Sequence, residues 1–552
     1  MEFAILIVLI LAIVVIVTIF TRIQHVKSLK AKILASFGSV PNNEDVNIES
    51  IAKYAKNFTH HDLRVDRITW SDLDMDSVYK RINTCFSSVG EEYLYNLLHE
   101  IKFDKAELAE REDLIKFFDE NPEERFKAQF ALAKLGKLND NGIASLIFGA
   151  DIKMLPRPYI YKILAAMPLL FIAILVFNLT IGIAGIILTF FINLFFYYHA
   201  MRIVNFETPT IGYFSSMLSC CRGLYAIDSV GKLPIMKNLR QPLNIFKKII
   251  SKTPSAGQGM SADLAGMGWI YLNIMFLFDV RRYNNLMKLI TTHNQAFHHI
   301  YKTLGEIDSA LSISSFRASL PVFSTPQFCD KNELDFEEIY HPIIQKPVTN
   351  THKFYSNSLI TGSNASGKST FIKTLAINGI MAQTIHTCTA KKFVTRTAMI
   401  VTSMAMRDDL LGGESYFVVE INSLKRVLDL VAKYPCICYI DEILRGTNTI
   451  ERIAASTAIL TYLHKQNCLC VVASHDIELT RLLNHDNYHF CEQVTDNDIV
   501  FDYKLKQGAT TTRNAIKLLG FMGFEQEIVK HANELVSSHT SQSTIQPQVP
   551  VL

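Results

Sequence analysis

One short segment constrains the fold of this chain more than any other, a glycine-rich loop between a predicted strand and a predicted helix. Residues 359–361 form an apolar run of strand length, and residues 371–376 place their apolar side chains at helical spacing. The loop between them has the Walker A pattern, in which two glycines bracket four residues and a lysine and a serine follow. This order of strand, loop and helix predicts an α/β P-loop domain.

The residue types of this loop suit the binding of a triphosphate. Glycines allow backbone N–H groups to converge on phosphate oxygens, and the ammonium group of Lys368 neutralises the β and γ oxygens. The hydroxyl group of Ser369 is expected to reach a magnesium ion. We therefore predict ATP and Mg²⁺ as cofactors, with the nucleotide bound by Gly362, Ser363, Asn364, Ala365, Ser366, Gly367, Lys368, Ser369 and Thr370.

Two further apolar runs end in polar residues that suit phosphate chemistry. Residues 436–440 have the pattern of a buried strand and end in Asp441 and Glu442. We expect Asp441, with Ser369, to hold Mg²⁺, and Glu442 to orient or deprotonate the attacking water. The run 468–473 precedes His475, which is expected to sense or contact the γ-phosphate. The predicted catalytic residues are Lys368, Glu442 and His475. The alternative for Asp441 and Glu442 is a solvated acidic pair at a strand end, and the alternative for His475 is a structural histidine.

The amino-terminal apolar run has the length of a membrane span. Residues 3–20 are apolar apart from Thr18, and a helix of that length measures about 27 Å. Basic residues follow at once, beginning with Arg22 and Lys27, and such residues mark the cytoplasmic side of a span. We predict a transmembrane helix over residues 1–21, with a cleaved signal peptide as the alternative.

A second apolar stretch is too long for one straight span, and we predict that it forms a transmembrane hairpin over residues 163–199. Its centre at residues 178–182 contains Asn, Thr and Gly, which favour a turn. Basic residues flank both ends, so the protein is predicted to be multi-pass in the inner or plasma membrane, with the nucleotide-binding domain in the cytoplasm. The alternative is a buried hairpin of a soluble domain. The run 269–278 is too short to span and is predicted to pack in a core.

The remaining segments are predicted from periodicity and composition. Residues 22–162 and 200–330 repeat apolar positions at helical spacing, which predicts helical regions. The tail 537–552 is rich in Ser, Thr, Gln and Pro and is predicted to be disordered. A net charge of +3 excludes a global attraction to polyanions. A basic stretch within residues 229–262 suits lipid headgroups or nucleic-acid phosphates, or forms a solvated helix face.

Four motifs together resemble the ATPase domain of the DNA mismatch repair MutS family. In chain order they are residues 362–369, 407–417, 441–449 and 474–479. Residues 341–342 resemble the beginning of that domain, and residues 503–508 with the helical pattern that follows resemble its carboxyl-terminal dimerising helices. The resemblance implies an ABC-type α/β P-loop NTPase over residues 331–536, attached to an all-α core and lever region with transmembrane helices.

The same resemblance implies a homodimer with composite nucleotide sites. Ser415, on the signature loop 412–415, is expected to act in trans by reaching the γ-phosphate that Lys368 of the other copy binds. Residues 445–449 are expected to cross the same interface. ATP binding and hydrolysis would then move the attached helices, because each nucleotide state favours a different interface geometry.

Duplex DNA is a further partner that the resemblance implies. The chain has no room for the family's mismatch-reading domain and shows no matching aromatic-x-Glu wedge, so mismatch recognition itself is not expected. Two other functions stay open. One is a nucleotide-gated membrane scaffold for an unidentified protein partner, and the other is an ABC-type transport ATPase, because residues 411–413 faintly resemble an ABC signature.

Overall fold

The computed structural model describes all residues except 1, 45, 59–62, 139–153, 205–207, 251–263, 364–365, 405–415, 495–498, 510–515, 517–518, 520–521 and 543–552. The chain divides into two compact units. The helical unit comprises Met1–Asp62, Tyr79–His99 and Ala109–Leu320. The α/β unit comprises Leu63–Val78, Glu100–Leu108 and Pro321–Leu552, so it begins earlier than the predicted boundary at residue 331 and includes two short segments from the predicted helical region 22–162.

Helices account for most of the described backbone before residue 320. In chain order they are α1 Glu2–Ser36, α2 Ile48–Ala55, α3 Arg67–Asp72, α4 Met75–Ile82, α5 Ser88–His99, α6 Lys105–Glu120, α7 Pro122–Leu135, α8 Pro158–Ile174, α9 Leu179–Val204, α10 Thr208–Tyr225, α11 Asp228–Gly231, α12 Pro234–Lys237, α13 Arg240–Ile250, α14 Leu264–Phe276, α15 Phe278–Thr292 and α16 Asn294–Ala318. Helix α3 belongs to the α/β unit, and α4 and α6 contain residues of both units.

Helices α5 and α16 form the centre of the helical unit, because two glycines allow a close approach. A Cβ atom on Gly90 would lie 2.2 Å from Asp308 Oδ2, and one on Gly305 would lie 2.5 Å from the Cβ atom of Tyr93. The buried Asp308 carboxylate accepts a hydrogen bond from the backbone N–H of Ser87 at 2.8 Å. Small residues and a satisfied polar group thus fix the spacing of the two helices.

The predicted apolar hairpin is present as helices α8 and α9, with the turn at residues 175–178. Close packing requires Gly185, where a Cβ atom would lie 2.0 Å from the ring of Phe171. Large apolar side chains near the turn remain exposed, Val176 by 83% and Phe177 by 90%, which disagrees with a hairpin buried in a soluble core. Within the described part of the chain, one helix is long and apolar enough to cross a bilayer, over Leu179–Ile203.

Helix α14 covers most of the run 269–278 that the sequence predicts to pack in a core, and that prediction is wrong for its outer face. Ile270, Tyr271 and Leu272 are exposed by 57%, 56% and 47%. The helix packs on one side against α8 and α9. Because these two helices form a thin hairpin, they cover one side of α14 and leave the other open.

The described residues of the α/β unit form three sheets. Its strands are β1 Gln327–Cys329, β2 Leu334–Ile339, β3 Asn350–Phe354, β4 Ser358–Thr361, β5 Lys392–Arg396, β6 Met399–Ser403, β7 Cys436–Asp441, β8 Cys468–Ala473, β9 Asp486–His489, β10 Glu492–Val494, β11 Ile499–Phe501 and β12 Lys506–Gln507. The six-stranded sheet has the order β12-β9-β4-β8-β7-β6 and is parallel except for β12. The strands predicted over 359–361, 436–440 and 468–473 are its central members β4, β7 and β8. The other sheets have the orders β1-β5-β2-β3 and β10-β11.

The α/β unit also contains helices α17 Lys368–Thr384, α18 Tyr416–Val431, α19 Thr449–His464, α20 Leu479–Leu482 and α21 Gln526–Gln542. The first three pack against strands of the six-stranded sheet. Helix α21 runs past Ser537 into the tail that the sequence predicts to be disordered, and residues 543–552 of that tail lie outside the described residues.

Candidate functional site

Three neighbouring parallel strands bring the predicted site residues to one edge of the six-stranded sheet. The register pairs Ile360 of β4 with Ala473 of β8, and Asp441 of β7 with the same Ala473. Beyond the strand ends, the Glu442 N–H donates to the Ala473 carbonyl at 2.9 Å, and the Ser474 N–H donates to the Ile360 carbonyl at 3.0 Å. The carboxyl ends of parallel strands are where open α/β sheets bind ligands.

The glycine-rich loop has the backbone shape that its sequence predicts. Gly362 and Gly367 have φ angles of 148° and 99°, which side chains with a Cβ atom rarely adopt. A Cβ atom on Gly362 would also lie 2.5 Å from the carbonyl oxygen of Phe490. Helix α17 begins directly after the loop at Lys368, so its N-terminal N–H groups face the place where a phosphate would bind.

The side chain of Lys368 is buried and folds back against the glycine-rich loop. Its Nζ donates to the carbonyl oxygens of Gly362 at 2.8 Å and Ser363 at 2.7 Å, and it lies 3.4 Å from Nε2 of His475. Burial lowers the pKa of Lys368 to about 8, although the nearby carboxylates of Asp441 and Glu442 act in the opposite direction. The ammonium group is therefore held by weak neutral acceptors, which anionic phosphate oxygens can replace.

Glu442 is held by two partners in its own chain. His475 Nε2 lies 2.9 Å from Glu442 Oε1, and the guanidinium group of Arg445 forms an ion pair with Oε2. Burial raises the pKa of Glu442, but the hydrogen bonds from His475 and Arg445 outweigh it and lower that pKa to about 2. The backbone of Glu442 also has a φ of 59°, a conformation that is uncommon for a residue with a side chain.

Asp441 and Ser369 fit the predicted magnesium ion. The Asp441 carboxylate is buried, and its Oδ1 has no hydrogen-bond partner among the described residues. A buried carboxylate oxygen without a partner is costly, and a bound cation would satisfy it. Ser369 lines the adjacent cavity, and a carboxylate with a hydroxyl group is a donor set that suits Mg²⁺.

A cavity of about 520 Å³ opens beside the glycine-rich loop, within the size range of small-molecule sites. Its polar end contains Lys368, Ser369, Thr370 and Glu442. Its other walls are mainly apolar and aromatic, with contributions from Ile339, Tyr340, Ile344, Val348, Phe371, Phe490 and Tyr503. A polar end next to apolar walls suits a ligand that carries phosphates and a planar base.

Sequence reasoning missed two arginine contacts at this edge. Arg445 belongs to the segment expected to cross a dimer interface, yet here it pairs with Glu442 in cis. Arg452 of α19 forms a two-pronged ion pair with Asp476, at 2.9 and 2.7 Å, and so anchors the turn that carries His475. No spacing signal in the sequence marks the Arg452 contact, because its partner comes from a separate strand end.

The predicted site residues divide into two groups. The structure brings together Gly362, Ser363, Ser366, Gly367, Lys368, Ser369, Thr370, Asp441, Glu442 and His475. Asn364, Ala365 and Ser415 lie outside the described residues.

A phosphate-binding loop at the carboxyl edge of a parallel sheet, with the Asp441-Glu442 pair at the end of β7 on the same edge, defines the α/β unit as a P-loop nucleotide-binding domain. Residues 358–540 match the family model for MutS domain V. The match includes the glycine-rich loop, the Asp441-Glu442 pair and His475.

Individual relatives agree with this match. The chain is 28% identical over 277 residues to the DNA mismatch repair protein MutS of Thermotoga petrophila, covering 48% of this chain and 34% of that protein. It is 29% identical over 265 residues to MutS of Pseudothermotoga lettingae, covering 45% and 32%. It is 28% identical over 283 residues to MutS of Streptococcus pyogenes serotype M12, covering 47% and 33%. The α/β unit thus carries a match to MutS domain V, and the aligned part of the chain spans about a third of the length of these curated relatives.

Proposed function

We propose that the α/β unit hydrolyses ATP in a Mg²⁺-dependent reaction. The observation that carries this proposal is the convergence of Lys368, Glu442 and His475, with Lys368 and Glu442 lining one cavity of about 520 Å³. The relatives bear the name of DNA mismatch repair proteins, and the family resemblance implies ATPase activity in the matched domain.

Each side chain has a role that its position permits. Lys368 exchanges the carbonyl oxygens of Gly362 and Ser363 for the β and γ oxygens of ATP. Glu442 accepts a proton from the attacking water, and His475 orients the carboxylate from 2.9 Å. Bound Mg²⁺ supplies charge neutralisation to the phosphates, and Asp441 and Ser369 are the residues that would hold it.

The test is steady-state ATP hydrolysis by the full chain in detergent. Lys368→Ala is expected to lose nucleotide binding, whereas Glu442→Gln is expected to keep binding and lose turnover. Lys465→Ala is a matched control, because Lys465 is exposed and follows α19 at the opposite end of β8. Turnover in Glu442→Gln equal to that of the wild type would contradict the proposal.

We propose further that two copies complete each nucleotide site, with Ser415 acting in trans. The support is the family resemblance of the signature loop, together with the exposed mouth of the cavity in a single copy. Glu442→Gln with ATP should be dimeric by light scattering, and addition of Ser415→Ala should return it to the monomer. A dimer that is unaffected by ATP and by Ser415→Ala would remove the composite site.

We propose that the helical unit is anchored in a membrane, with the α/β unit in the cytoplasm. The support is the length and apolar composition of α9, the exposed apolar faces of α8 and α9, and the amino-terminal apolar run that lies within α1. Exposed basic residues stand next to the ends of the hairpin, as Arg157 and Arg202. A soluble partner that covers these faces is the competing explanation.

Flotation with lipid vesicles separates these two explanations. The membrane proposal predicts that purified chain moves with vesicles of phosphatidylcholine and phosphatidylglycerol and stays with them in carbonate at high pH. A chain that remains soluble and monodisperse without detergent or lipid would overturn the membrane proposal.

DNA binding by this chain is a separate proposal that rests on the resemblance to the MutS family. The described basic candidates are Lys232, Lys237 and Arg240, which are all exposed. A fluorescence titration of homoduplex and mismatched duplexes across salt concentrations tests it, with Lys237→Glu as the variant and Lys465→Glu as the control. Binding that weakens with salt and with Lys237→Glu would support DNA as a partner, whereas no binding at low salt would remove it.

The alternative functions make different predictions in the same assays. A nucleotide-gated scaffold would bind ATP without turnover in the wild type and would capture a protein only in one nucleotide state. A transport ATPase would carry a solute into proteoliposomes during hydrolysis. ATP turnover without solute uptake would favour the MutS-type ATPase.

A further inference from the structure

Helix α14 is joined to the apolar hairpin by a buried amide. The side chain of Asn193, on α9, donates hydrogen bonds to the carbonyl oxygens of Leu164 on α8 at 3.2 Å and Met275 on α14 at 2.6 Å. Asn193 is fully buried. Four residues before Met275, the ring of Tyr271 lies 6.3 Å from that of Phe190. Phe190 on α9 contacts Tyr271 on α14, and further along both helices Asn193 contacts Met275. Because the contacts occur in the same order along the two helices, α14 and α9 run parallel.

The outward face of α14 continues the apolar character of the hairpin. Helix α14 contains no charged residue. Its exposed residues include Ile270 and Leu272, while α9 exposes Ile187 and Phe191 at the same level of the bundle. A soluble helix normally turns a polar face to water, and the described side chains of α14 provide no such face. The backbone of α1 also contacts α14.

Charged residues lie at one end of the group formed by helices α8, α9 and α14. Helix α14 ends in a sharp turn at Leu277, where the amide of Asn273 is hydrogen-bonded to Asp279 at 2.6 and 3.0 Å. The exposed Arg281 follows on α15. The amide of Asn284 pairs with the backbone of Leu155 at 2.8 and 3.0 Å, which joins the middle of α15 to the segment just before α8.

This polar end matches the chemistry of a membrane surface. Four exposed basic residues lie at the beginning of α8, at the end of α9 and at the beginning of α15. They are Arg157, Lys162, Arg202 and Arg281. Clustered arginine and lysine complement anionic lipid headgroups, and the uncharged helices beyond them complement acyl chains. This arrangement of basic and apolar residues therefore favours lipid as the material that covers α14.

We propose that α14 is embedded in the bilayer beside the hairpin, with its exposed face against lipid acyl chains. This inference rests on the proposed membrane location of the helical unit. Thirteen residues make a helix of about 20 Å, shorter than the hydrocarbon core of about 30 Å, so α14 reaches only part of the way through. The Asn193 amide stabilises this packing, because interhelical hydrogen bonds retain their value where water is absent.

A single tryptophan on the exposed face of α14 provides a reporter for this proposal. The two native tryptophans, Trp70 and Trp269, are replaced by phenylalanine, and Ile270→Trp is added at an exposed position of α14. The full chain is reconstituted into vesicles whose phosphatidylcholine carries bromine on the acyl chains, which quenches only tryptophans within the hydrocarbon. We expect loss of emission in the Ile270→Trp variant, and no loss in Trp269→Phe, whose single tryptophan is Trp70 of the α/β unit.

The outcomes distinguish the inference from the proposal beneath it. A chain that floats with vesicles but shows no quenching in the Ile270→Trp variant would overturn the placement of α14 and leave the membrane anchor in place. A chain that does not float would overturn both. If Tyr271→Cys instead forms a disulfide-linked dimer efficiently in vesicles, while the Ile270→Trp variant stays unquenched, a second copy of the chain covers this face and the lipid proposal is wrong.

Discussion

Arg445 forms an ion pair with Glu442 three residues earlier in the same chain, and Glu442 is the carboxylate expected to activate water. Together with the hydrogen bond from His475, this pairing lowers the pKa of Glu442 to about 2. A carboxylate with so low a pKa is a weak base. The single chain therefore holds its general base in a poorly reactive state, and release of Arg445 would raise its basicity.

Removal of Arg445 is expected to accelerate the chemical step in a single chain. In Arg445→Ala, the hydrolysis rate at saturating ATP and low protein concentration should rise about 3- to 10-fold, as expected when the pKa of a general base rises by about one to two units. Steady-state phosphate release measures this rate, and Arg481→Ala, which changes an exposed arginine on α20, is the control. A fall in rate that appears only at dimerising concentrations would mean that Arg445 acts across the interface instead.

Nucleotide binding is expected to weaken as the pH rises through about 8. The Lys368 ammonium group must be charged to hold phosphate, and burial lowers the pKa of Lys368 to about 8 in the free protein. Below that pH the lysine is already protonated and affinity is constant; above it, binding must take up a proton, so the Kd should rise by about tenfold per pH unit. Lys368→Arg, with a permanently charged guanidinium group, should flatten this profile in a fluorescent-nucleotide titration. An unchanged profile in that variant would assign the titration to another group.

Asp72 is expected to stabilise the α/β unit through its contacts with the end of β6. Its carboxylate accepts hydrogen bonds from the Thr402 hydroxyl at 2.7 Å and from the Met404 N–H at 3.1 Å. In Asp72→Asn a neutral amide oxygen, which is a weaker acceptor than a carboxylate, meets both donors, so the free energy of unfolding should fall by about 1 kcal/mol. Denaturant unfolding followed by Trp70 emission in a Trp269→Phe background measures this change.

The matched control for Asp72 is Asp74→Asn, two residues later. Asp74 is exposed and has a φ of 50°, a conformation that asparagine accepts readily. Its effect on the free energy of unfolding should be close to zero. Equal destabilisation by the two substitutions would indicate a general effect of charge in this segment.

Gly185 is expected to be essential for the packing of the hairpin. A Cβ atom there would lie 2.0 Å from the ring of Phe171, so Gly185→Ala should destabilise the helical unit by about 1–3 kcal/mol through overpacking. At Gly223 of α10, no atom lies within 4 Å of the corresponding position, and Gly223→Ala should be neutral or stabilising by about 0.5–1 kcal/mol. Thermal unfolding in detergent compares the two. The opposite order of stability would contradict the observed helix spacing.

Much of the nucleotide site could be predicted because its elements have local signatures. Strands β4, β7 and β8 are buried on both faces, so each appears in the sequence as a continuous apolar run. The glycine-rich loop is equally local, because Gly362 and Gly367 are required by φ angles within the loop. The apolar hairpin was found for the same reason, from the length of its uninterrupted hydrophobic run.

The contacts that the sequence could not predict join residues far apart along the chain. Asp72 meets Thr402 across 330 residues, and Arg452 meets Asp476 from a different element. The open side of α14 was also missed, because an apolar run of that length looks the same in a soluble core and against a thin hairpin.

The amino-acid sequence alone determined the three central strands and the residues around the phosphate site, because local periodicity and backbone requirements specify them. Only the tertiary structure decided that Leu63–Val78 belongs to the α/β unit, that Arg445 pairs with Glu442 in cis, and that Asn193 joins three apolar helices. These contacts depend on how distant segments meet, and a side chain's choice of partner is settled by burial and geometry in the folded chain.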